Sequence, residues 1–188
     1  AEALYTANGG SNVAIGYETA KSTTSNDGVW IGANAGKDGA GGGQSAIVGH
    51  YAGQYIVGNK VTHLGREAGR YATGSQNTFV GYQAGKGGTT SAPYSSGENN
   101  VAIGYQALDA FTTGYQNTAV GEQALGGLTT GYENVGIGTE AARYLSTGVW
   151  NVSIGMNSGP AAMGSRVVAI GELAGRFNKG VGNVHIGY

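Results

Sequence analysis

The chain repeats one short pattern of apolar and polar positions along its whole length. The stretches NVAIGYETA (residues 12–20), NVAIGYQAL (100–108) and NTAVGEQAL (117–125) share an alternating apolar triplet that ends at a glycine. With this glycine as anchor at position 0, successive repeats lie 16 or 17 residues apart, except for one gap of 23. A fixed period of this kind predicts a solenoid. The anchors are Gly16, Gly32, Gly49, Gly65, Gly81, Gly104, Gly121, Gly138, Gly155, Gly171 and Gly187.

Two columns of the repeat predict short β-strands. Position −1 holds Ile, Val or Leu in every repeat, and position −3 holds Val, Thr or Ala. β-Branched residues two positions apart favour a strand, in which both side chains lie on one face. We assign these columns to the core. The sequence predicts an all-β, parallel β-solenoid (β-roll or β-helix) of about eleven coils in a single repeat domain over residues 1–188. Each coil is expected to contain two short parallel strands and two glycine turns, and the rod to be roughly 50 Å long at the usual strand spacing.

The column between them, at position −2, points to the opposite face of each strand. It carries no charge and consists of small residues with a few large ones. Because two aliphatic residues and an alanine per coil make a thin core, we expect lateral association. We therefore predict a homotrimer, with interface residues Ala14, Trp30, Ile47, His63, Phe79, Ala102, Ala119, Ala169 and His185.

Composition narrows the class of protein further. The 188 residues include 38 Gly and no Cys, the net charge is −1, and the charged share is 11%. Scattered basic residues predict no nucleic-acid partner, and the lack of a long apolar run predicts no membrane insertion. Glycine at positions 0 and −7 indicates corners of close backbone approach. Asn recurs at position −4, where we expect a hydrogen-bonded ladder between coils.

The repeat resembles those of two families of trimeric fibre. The unit N-x-A-[IV]-G-x-x-A is similar to the head repeats of trimeric autotransporter adhesins, which use a shorter coil. The longer form, with the linker TTGYxN at residues 112–117 and 129–134, looks more like phage tail-fibre repeats found upstream of endosialidase-type intramolecular chaperone domains. This resemblance implies a shaft or tip excised from a longer protein.

Candidate binding residues lie in an insertion and in aromatic columns. The 23-residue gap contains an insertion loop at residues 86–99, and insertions into solenoids often bind partners. Rings on a rigid rod can bind sugars through their faces and hydroxyls, or stabilise the rod by stacking on each other. The predicted receptor-binding residues are Lys86, Tyr94 and Glu98 in the insertion, and Tyr17, Tyr82, Tyr105, Tyr115, Tyr132 and Trp150 in the columns.

The chain offers little for catalysis or metal binding. His63 and His185 would meet their symmetry mates on a threefold axis, but they lack the paired spacing of a metal motif. Glu18, Glu67, Glu140, Glu122 and Glu172 recur near the anchors, where any solenoid exposes polar residues. We expect no cofactor, no metal and no enzyme activity.

The expected function is host attachment. We expect a structural and receptor-binding segment of a trimeric phage tail fibre, extracellular on the virion, that binds a bacterial surface glycan or outer-membrane protein. A bacterial adhesin head at the cell surface is an alternative. An ice-binding solenoid is another, although the threonines cluster in turns, and a polysaccharide depolymerase is the enzymatic alternative.

Overall fold

The computed structural model describes residues 10–160, 164–176 and 180–187 as a parallel β-solenoid. Each repeat contributes one strand of three residues, and the anchor glycine follows that strand directly. The described strands are β1 (Val13–Ile15), β2 (Val29–Ile31), β3 (Ala46–Val48), β4 (Thr62–Leu64), β5 (Thr78–Val80), β6 (Val101–Ile103), β7 (Thr118–Val120), β8 (Val135–Ile137), β9 (Val152–Ile154), β10 (Val168–Ile170) and β11 (Val184–Ile186). We call each strand, together with the chain that leads to the next strand, a coil.

The strands form a single sheet in chain order, and the register never shifts. Each residue pairs with its equivalent in the next repeat, for example Ala102 with Ala119. The remainder of each described coil consists of tight turns, whose backbone groups also bond to the next coil, as Leu108 N–H does to Ala124 O at 3.0 Å. The solenoid architecture is therefore confirmed, but the prediction of two strands per coil is wrong: in the described residues each coil has one strand, and tight turns form the rest of it.

The orientation of the strand triplet is the reverse of the prediction. Position −2 lies inside the coil: Trp30, Ile47, His63 and Phe79 are completely buried within the single chain. Positions −3 and −1 point outward and stay partly exposed. The predicted trimer-interface column is therefore wrong, because side chains that their own coil encloses cannot reach a partner. Ala102, Ala119 and Ala169 are buried in the same way, while Ala14 and His185, in the first and last strands, are partly exposed.

The side chains at positions −2 and +4 both point into the interior, and their sizes are complementary in several coils. Where position −2 is large, position +4 is glycine, as in the pair Trp30 and Gly36. A Cβ at Gly36 would lie 2.6 Å from Cδ1 of Trp30. In coils 6 and 7 position −2 is alanine and position +4 is leucine, as in Ala102 with Leu108. Position +7 adds further buried side chains, namely Ile56, Phe111, Leu128 and Leu145, and the columns together give the close packing of an interior.

The anchor glycines allow neighbouring coils to approach closely. At Gly16, which has φ of +137°, a Cβ would lie 2.7 Å from the carbonyl oxygen of Gly32 in the next coil. The same conflict recurs at the following anchors. Any side chain here would push the coils apart, as the sequence predicts for this column.

The predicted asparagine ladder is present in the middle of the rod. Asn100 Oδ1 accepts hydrogen bonds from the backbone N–H and the Nδ2 of Asn117, both at 3.0 Å. Asn117 Nδ2 also donates to Gly131 O at 3.0 Å, which joins the ladder to the glycine corner at position −7. The buried ladder runs through Asn77, Asn100, Asn117, Asn134 and Asn151.

Candidate binding surfaces

The outward face of the sheet carries two parallel rows of apolar side chains. Position −1 gives Ile, Val or Leu in every strand, and Ile103, Ile137, Ile154 and Ile170 expose between 37% and 40% of their surface. Position −3 gives the second row, mostly valine and threonine. Neither row contains a charged residue. The rod therefore presents an uncharged aliphatic strip about 50 Å long at the strand spacing of a sheet.

His63 cannot meet symmetry mates on a threefold axis, because its own coil encloses it. Its ring packs against Phe79 with ring centroids 5.0 Å apart, and neither of its ring nitrogens has a hydrogen-bond partner. His185, in β11, is partly exposed. Burial lowers the pKa of His63 to about 3. Within the described ranges, no cluster of three His, Asp or Glu side chains could hold a metal ion.

The predicted aromatic residues lie on three separate edges of the rod. On the first, Tyr115 and Tyr132 stack with centroids 4.8 Å apart, and Trp150 meets Tyr132 edge-on. Arg166 covers the Trp150 ring at 4.6 Å, and Trp150 Nε1 donates to Glu133 at 2.9 Å. Glu98 and Tyr115 line a shallow cavity of about 370 Å³ at this edge. We call this set the tryptophan edge.

On the second edge, next to the outward strip, only part of the predicted stripe forms. Tyr82 and Tyr105 follow their anchors and stack with centroids 5.3 Å apart. The guanidinium of Arg66 lies 5.9 Å from the centre of the Tyr82 ring. The equivalent positions in coils 2 and 3 are Ala33 and His50, which separate Tyr17 from these rings.

The third edge combines charges with tyrosines at positions +5 and +6, and we call it the basic edge. Six of the ten Lys and Arg residues of the chain occupy position +5, among them Arg70 and Lys86. Carboxylates at position +2 pair with several of them, as Glu18 does with Lys37 at 2.7 Å. Hydrogen bonds from Lys21 and Lys37 lower the pKa of Glu18. The six basic residues are Lys21, Lys37, Arg70, Lys86, Arg143 and Arg176.

Glu67 is the most enclosed carboxylate of this edge. Burial alone would raise the pKa of Glu67, but the amide of Gln83 and the cations Lys86 and Arg70 bring it below its usual value. Glu140 pairs with Arg143 in the same way. Glu122 and Glu172, at position +1, lie outside the basic column. Ion pairing therefore accounts for Glu18, Glu67 and Glu140.

The insertion loop returns to the basic edge and brings Tyr94 with it. Ser95 bonds to coil 4 through its N–H to Tyr71 O at 3.0 Å and through its carbonyl to Thr73 N–H at 2.7 Å. These bonds place the Tyr94 ring 4.5 Å from Tyr55 and 6.0 Å from Tyr71. Burial, followed by the proximity of Tyr94, raises the pKa of Tyr55.

Cations complete this tyrosine cluster, which we define as Tyr55, Tyr71 and Tyr94. Arg70 lies 5.0 Å from the centre of the Tyr71 ring, and Lys86 Nζ lies 6.0 Å from it. Lys86 and Tyr94 are therefore brought together as predicted residues of one surface. Tyr55 and Tyr71 were not predicted, although both stand at position +6 of consecutive repeats, which is a signal that the sequence contains.

A notch interrupts the basic edge at coil 7. Position +5 is Asp109 in coil 6 and Arg143 in coil 8, but both positions +5 and +6 of coil 7 are glycine. The resulting notch has a volume of about 340 Å³. Its lining consists of Asp109, Gln123, Gly126, Gly127, Arg143 and Tyr144.

Comparisons with known proteins identify no family for this chain. In the part of the chain that the structure describes, no helix has the length and hydropathy needed to span a membrane. Neither the protein-family models, nor the curated proteins, nor the solved structures contain a match to this chain.

Proposed function

We propose that this chain is a segment of a homotrimeric fibre of the phage tail-fibre type, which attaches to a glycan or an outer-membrane protein of a bacterial surface. The observation that carries this proposal is the uncharged aliphatic strip on the outward face of the sheet. Rows of half-exposed Ile and Val cost about 25 cal/mol for each Å² of apolar area left in water. Continuous apolar surfaces of this size are typical of protein interfaces.

A second and a third copy of the chain are the occupants that best fit the strip. Each strand presents one residue at position −3 and one at position −1, so a threefold arrangement gives each row one neighbouring chain. The neighbour repeats its own side chains at the same strand spacing, so the rows stay in phase along the rod. Closed symmetry of this kind is typical of homo-oligomers.

The trimer leaves the tryptophan edge and the basic edge available for a receptor. Their rings lie outside the rows at positions −3 and −1, so burial of the strip does not cover them. Three copies on one stiff rod strengthen weak contacts through multivalency. The resemblance of the repeat to phage tail fibres adds the expectation that the receptor is bacterial.

Binding to bacterial cells tests this function. We expect the fluorescently labelled wild-type chain to bind a panel of bacterial cells, and Ile137→Glu, which places a charge in the strip, to bind at least about tenfold more weakly because avidity is lost. Thr130→Glu, on an exposed turn outside the strip, is the matched control. Periodate treatment of the cells abolishes binding to a glycan, and protease treatment abolishes binding to an outer-membrane protein. Failure of the wild-type chain to bind any cell, or equal binding by Ile137→Glu, contradicts the proposal.

A further inference from the structure

The notch in the basic edge is a concave site with a specific set of hydrogen-bonding groups. Asp109 lies on one wall, and Arg143 and Tyr144 lie on the other. Tyr144 exposes 54% of its surface, so its ring is available to a ligand. Gly126 and Gly127 form the floor, with their N–H groups donating to Gln123 O at 3.0 Å and Arg143 O at 2.9 Å. The backbone of the floor is thus held by its own hydrogen bonds.

The glycines keep the notch open. The atoms nearest to a Cβ at Gly126 would be Gln123 O at 3.1 Å, Asp109 Oδ1 at 3.6 Å and Gln123 Cβ at 3.6 Å, and the φ of Gly126 is not in the left-handed region. Coil 3 has Gln54 at the equivalent position, and coil 4 has Arg70. The fold therefore accepts long side chains in this column, and their absence from coil 7 leaves a gap in the row.

In the described residues, one hydrogen-bond acceptor that faces this gap has no donor, and a second, the Asp109 carboxylate, accepts from its own backbone N–H. Along position +2, each glutamine donates to the preceding coil: Gln123 Nε2 to Gln106 Oε1 at 3.0 Å, and Gln106 Nε2 to Gln83 Oε1 at 2.8 Å. Coil 8 continues this column with Glu140, whose carboxylate cannot donate. In the described residues, Gln123 Oε1 therefore receives no hydrogen bond from the next coil, and it lines the notch beside the Asp109 carboxylate.

The electrostatics of the walls agree with a polar, uncharged ligand. Burial raises the pKa of Asp109, while Lys86 and Arg143 act in the opposite direction. The Arg143 guanidinium is already paired with Glu140, and it lies 5.9 Å from the centre of the Tyr144 ring. Glu140 thus neutralises the charge of Arg143. The groups of the notch that are left to bind a ligand are hydrogen-bond acceptors beside the Tyr144 ring.

We propose that this notch binds one pyranose unit of a surface glycan. Hydroxyl groups of the sugar donate to the Asp109 carboxylate and to Gln123 Oε1, and its C–H face packs on the Tyr144 ring. A volume of about 340 Å³ accommodates a single sugar ring. The inference rests on the proposed function, since it names the ligand class and one subsite for the same receptor.

Sugar titrations followed by NMR test the subsite. The probes are methyl glucoside, methyl N-acetylglucosaminide and methyl mannoside, each up to about 50 mM, because one sugar ring in a shallow site binds in the millimolar range. We expect at least one probe to shift the amide signals of Gly126 and Gly127 together with the Tyr144 ring signals. Absence of shifts at the notch with all three sugars overturns the proposal.

Two variants check that the shifts come from the notch. Gly126→Gln fills the gap with the residue that coil 3 has at this position, and Tyr144→Ala removes the aromatic wall. Each is expected to weaken binding at least tenfold, while Thr130→Ala, at an exposed position outside the notch, leaves it unchanged. Unchanged sugar binding in both Gly126→Gln and Tyr144→Ala overturns the proposal.

Cell binding separates this proposal from the one on which it rests. If Gly126→Gln binds cells as the wild-type chain does, in a periodate-sensitive way, the receptor function stands and the notch proposal fails. If the notch binds sugar but the wild-type chain binds no cells, the subsite stands and the receptor function fails. Loss of cell binding in Gly126→Gln, with the unfolding midpoint unchanged, supports both.

Discussion

Coils 2 to 5 and coils 6 to 8 fill the same interior in opposite ways. In the first section, large side chains stand in the middle of the strand, as Trp30 and Phe79 do, and glycine faces them at position +4. In the second section, the strand contributes alanine or glycine, Leu108 and Leu125 reach in from position +4, and Leu145 of coil 8 reaches in from position +7. Several positions of the coil therefore share the filling of the core, so that each position alone varies.

The same two sections differ in how they close the corner at position −4. The second section has the continuous asparagine ladder, whereas coils 2 to 4 have Gly28, Ser45 and Val61 there. Ser45 replaces part of the ladder by accepting from Val61 N–H at 3.0 Å and donating to Gly43 O at 3.0 Å. The first section depends more on rings and the second more on buried amides.

The largest expected loss of stability comes from giving coil 5, in the first section, the core residues of coil 6, in the second section. Gly85→Leu places a side chain within the ring of Phe79, so we expect it to destabilise the chain by more than about 3 kcal/mol, since neither group can move away. Phe79→Ala leaves a cavity and costs about 3–5 kcal/mol. The double variant recreates the pair Ala102 and Leu108, and we expect it to recover most of the loss.

Urea unfolding followed by circular dichroism measures all three proteins. Leu108 has φ of +51° and Gly85 has φ of +53°, so the fold already holds a leucine in this left-handed conformation at the equivalent position of coil 6. If the double variant is as unstable as the sum of the two single variants, the complementary-volume account of the core is wrong.

A smaller effect is expected at the corner, and it separates the two sections. Asn117→Ala removes four side-chain hydrogen bonds, to Asn100, Gly131 and Asn134, and leaves buried groups unsatisfied. We expect a loss of about 3 kcal/mol. Ser45→Ala removes two bonds and should cost about 1.5 kcal/mol. If urea unfolding shows that Asn117→Ala and Ser45→Ala lose the same free energy of unfolding, the asparagine ladder adds no stability beyond that of the Ser45 corner.

Between pH 6.5 and 5 we expect a pH dependence of stability that arises from His63 in the first section. The pKa of His63 is about 3 in the folded chain and near 6.5 when unfolded, so the unfolded state binds the proton more readily. Stability is therefore fully present above pH 6.5 and declines as pH falls toward 3, by at most about 1.4 kcal/mol for each pH unit. His63→Leu should remove this slope between pH 6.5 and 5, while His50→Leu, at an exposed position, should keep it.

The pH window matters because carboxylates also titrate. The pKa of Glu18 and Glu67 is lowered from 4.5, so their contribution is lost only at more acidic pH. Burial raises the pKa of Asp109, whose titration lowers stability as pH rises and so opposes the effect of His63. The difference in thermal unfolding midpoints between the wild-type chain and His63→Leu, from pH 5 to 6.5, therefore reports on His63. An unchanged slope in His63→Leu would show that another group causes the pH dependence.

The sequence predicted the solenoid but not the side of the strand that faces inward. Period, strand residues, anchor glycines and the asparagine ladder all follow from local chemistry that repeats in every coil. Alternation alone cannot tell which face is inside, and an invariant aliphatic column such as Ile103 and Val120 suggests a core. The informative signal was the compensation between columns, as in Trp30 with Gly36 and Ala102 with Leu108, which no single column shows.

The residues of the candidate surfaces could be predicted only where an insertion or a single repeat position marks them in the sequence. Tyr94 and Lys86 were predicted from the insertion, and the structure places them in one cluster. Asp109 and Tyr144 were not predicted, because their importance comes from two glycines in the coil between them. A gap in a row of side chains is a property of three consecutive coils.

Light scattering of the wild-type chain in solution tests whether the chain forms a trimer. We expect a mass near three times 18.9 kDa, because the aliphatic strip requires partners that cover both rows. It also predicts that Ile137→Glu lowers the mass and that Thr130→Glu does not. A stable, soluble monomer of 18.9 kDa, with the strip exposed to water, would contradict the trimeric fibre.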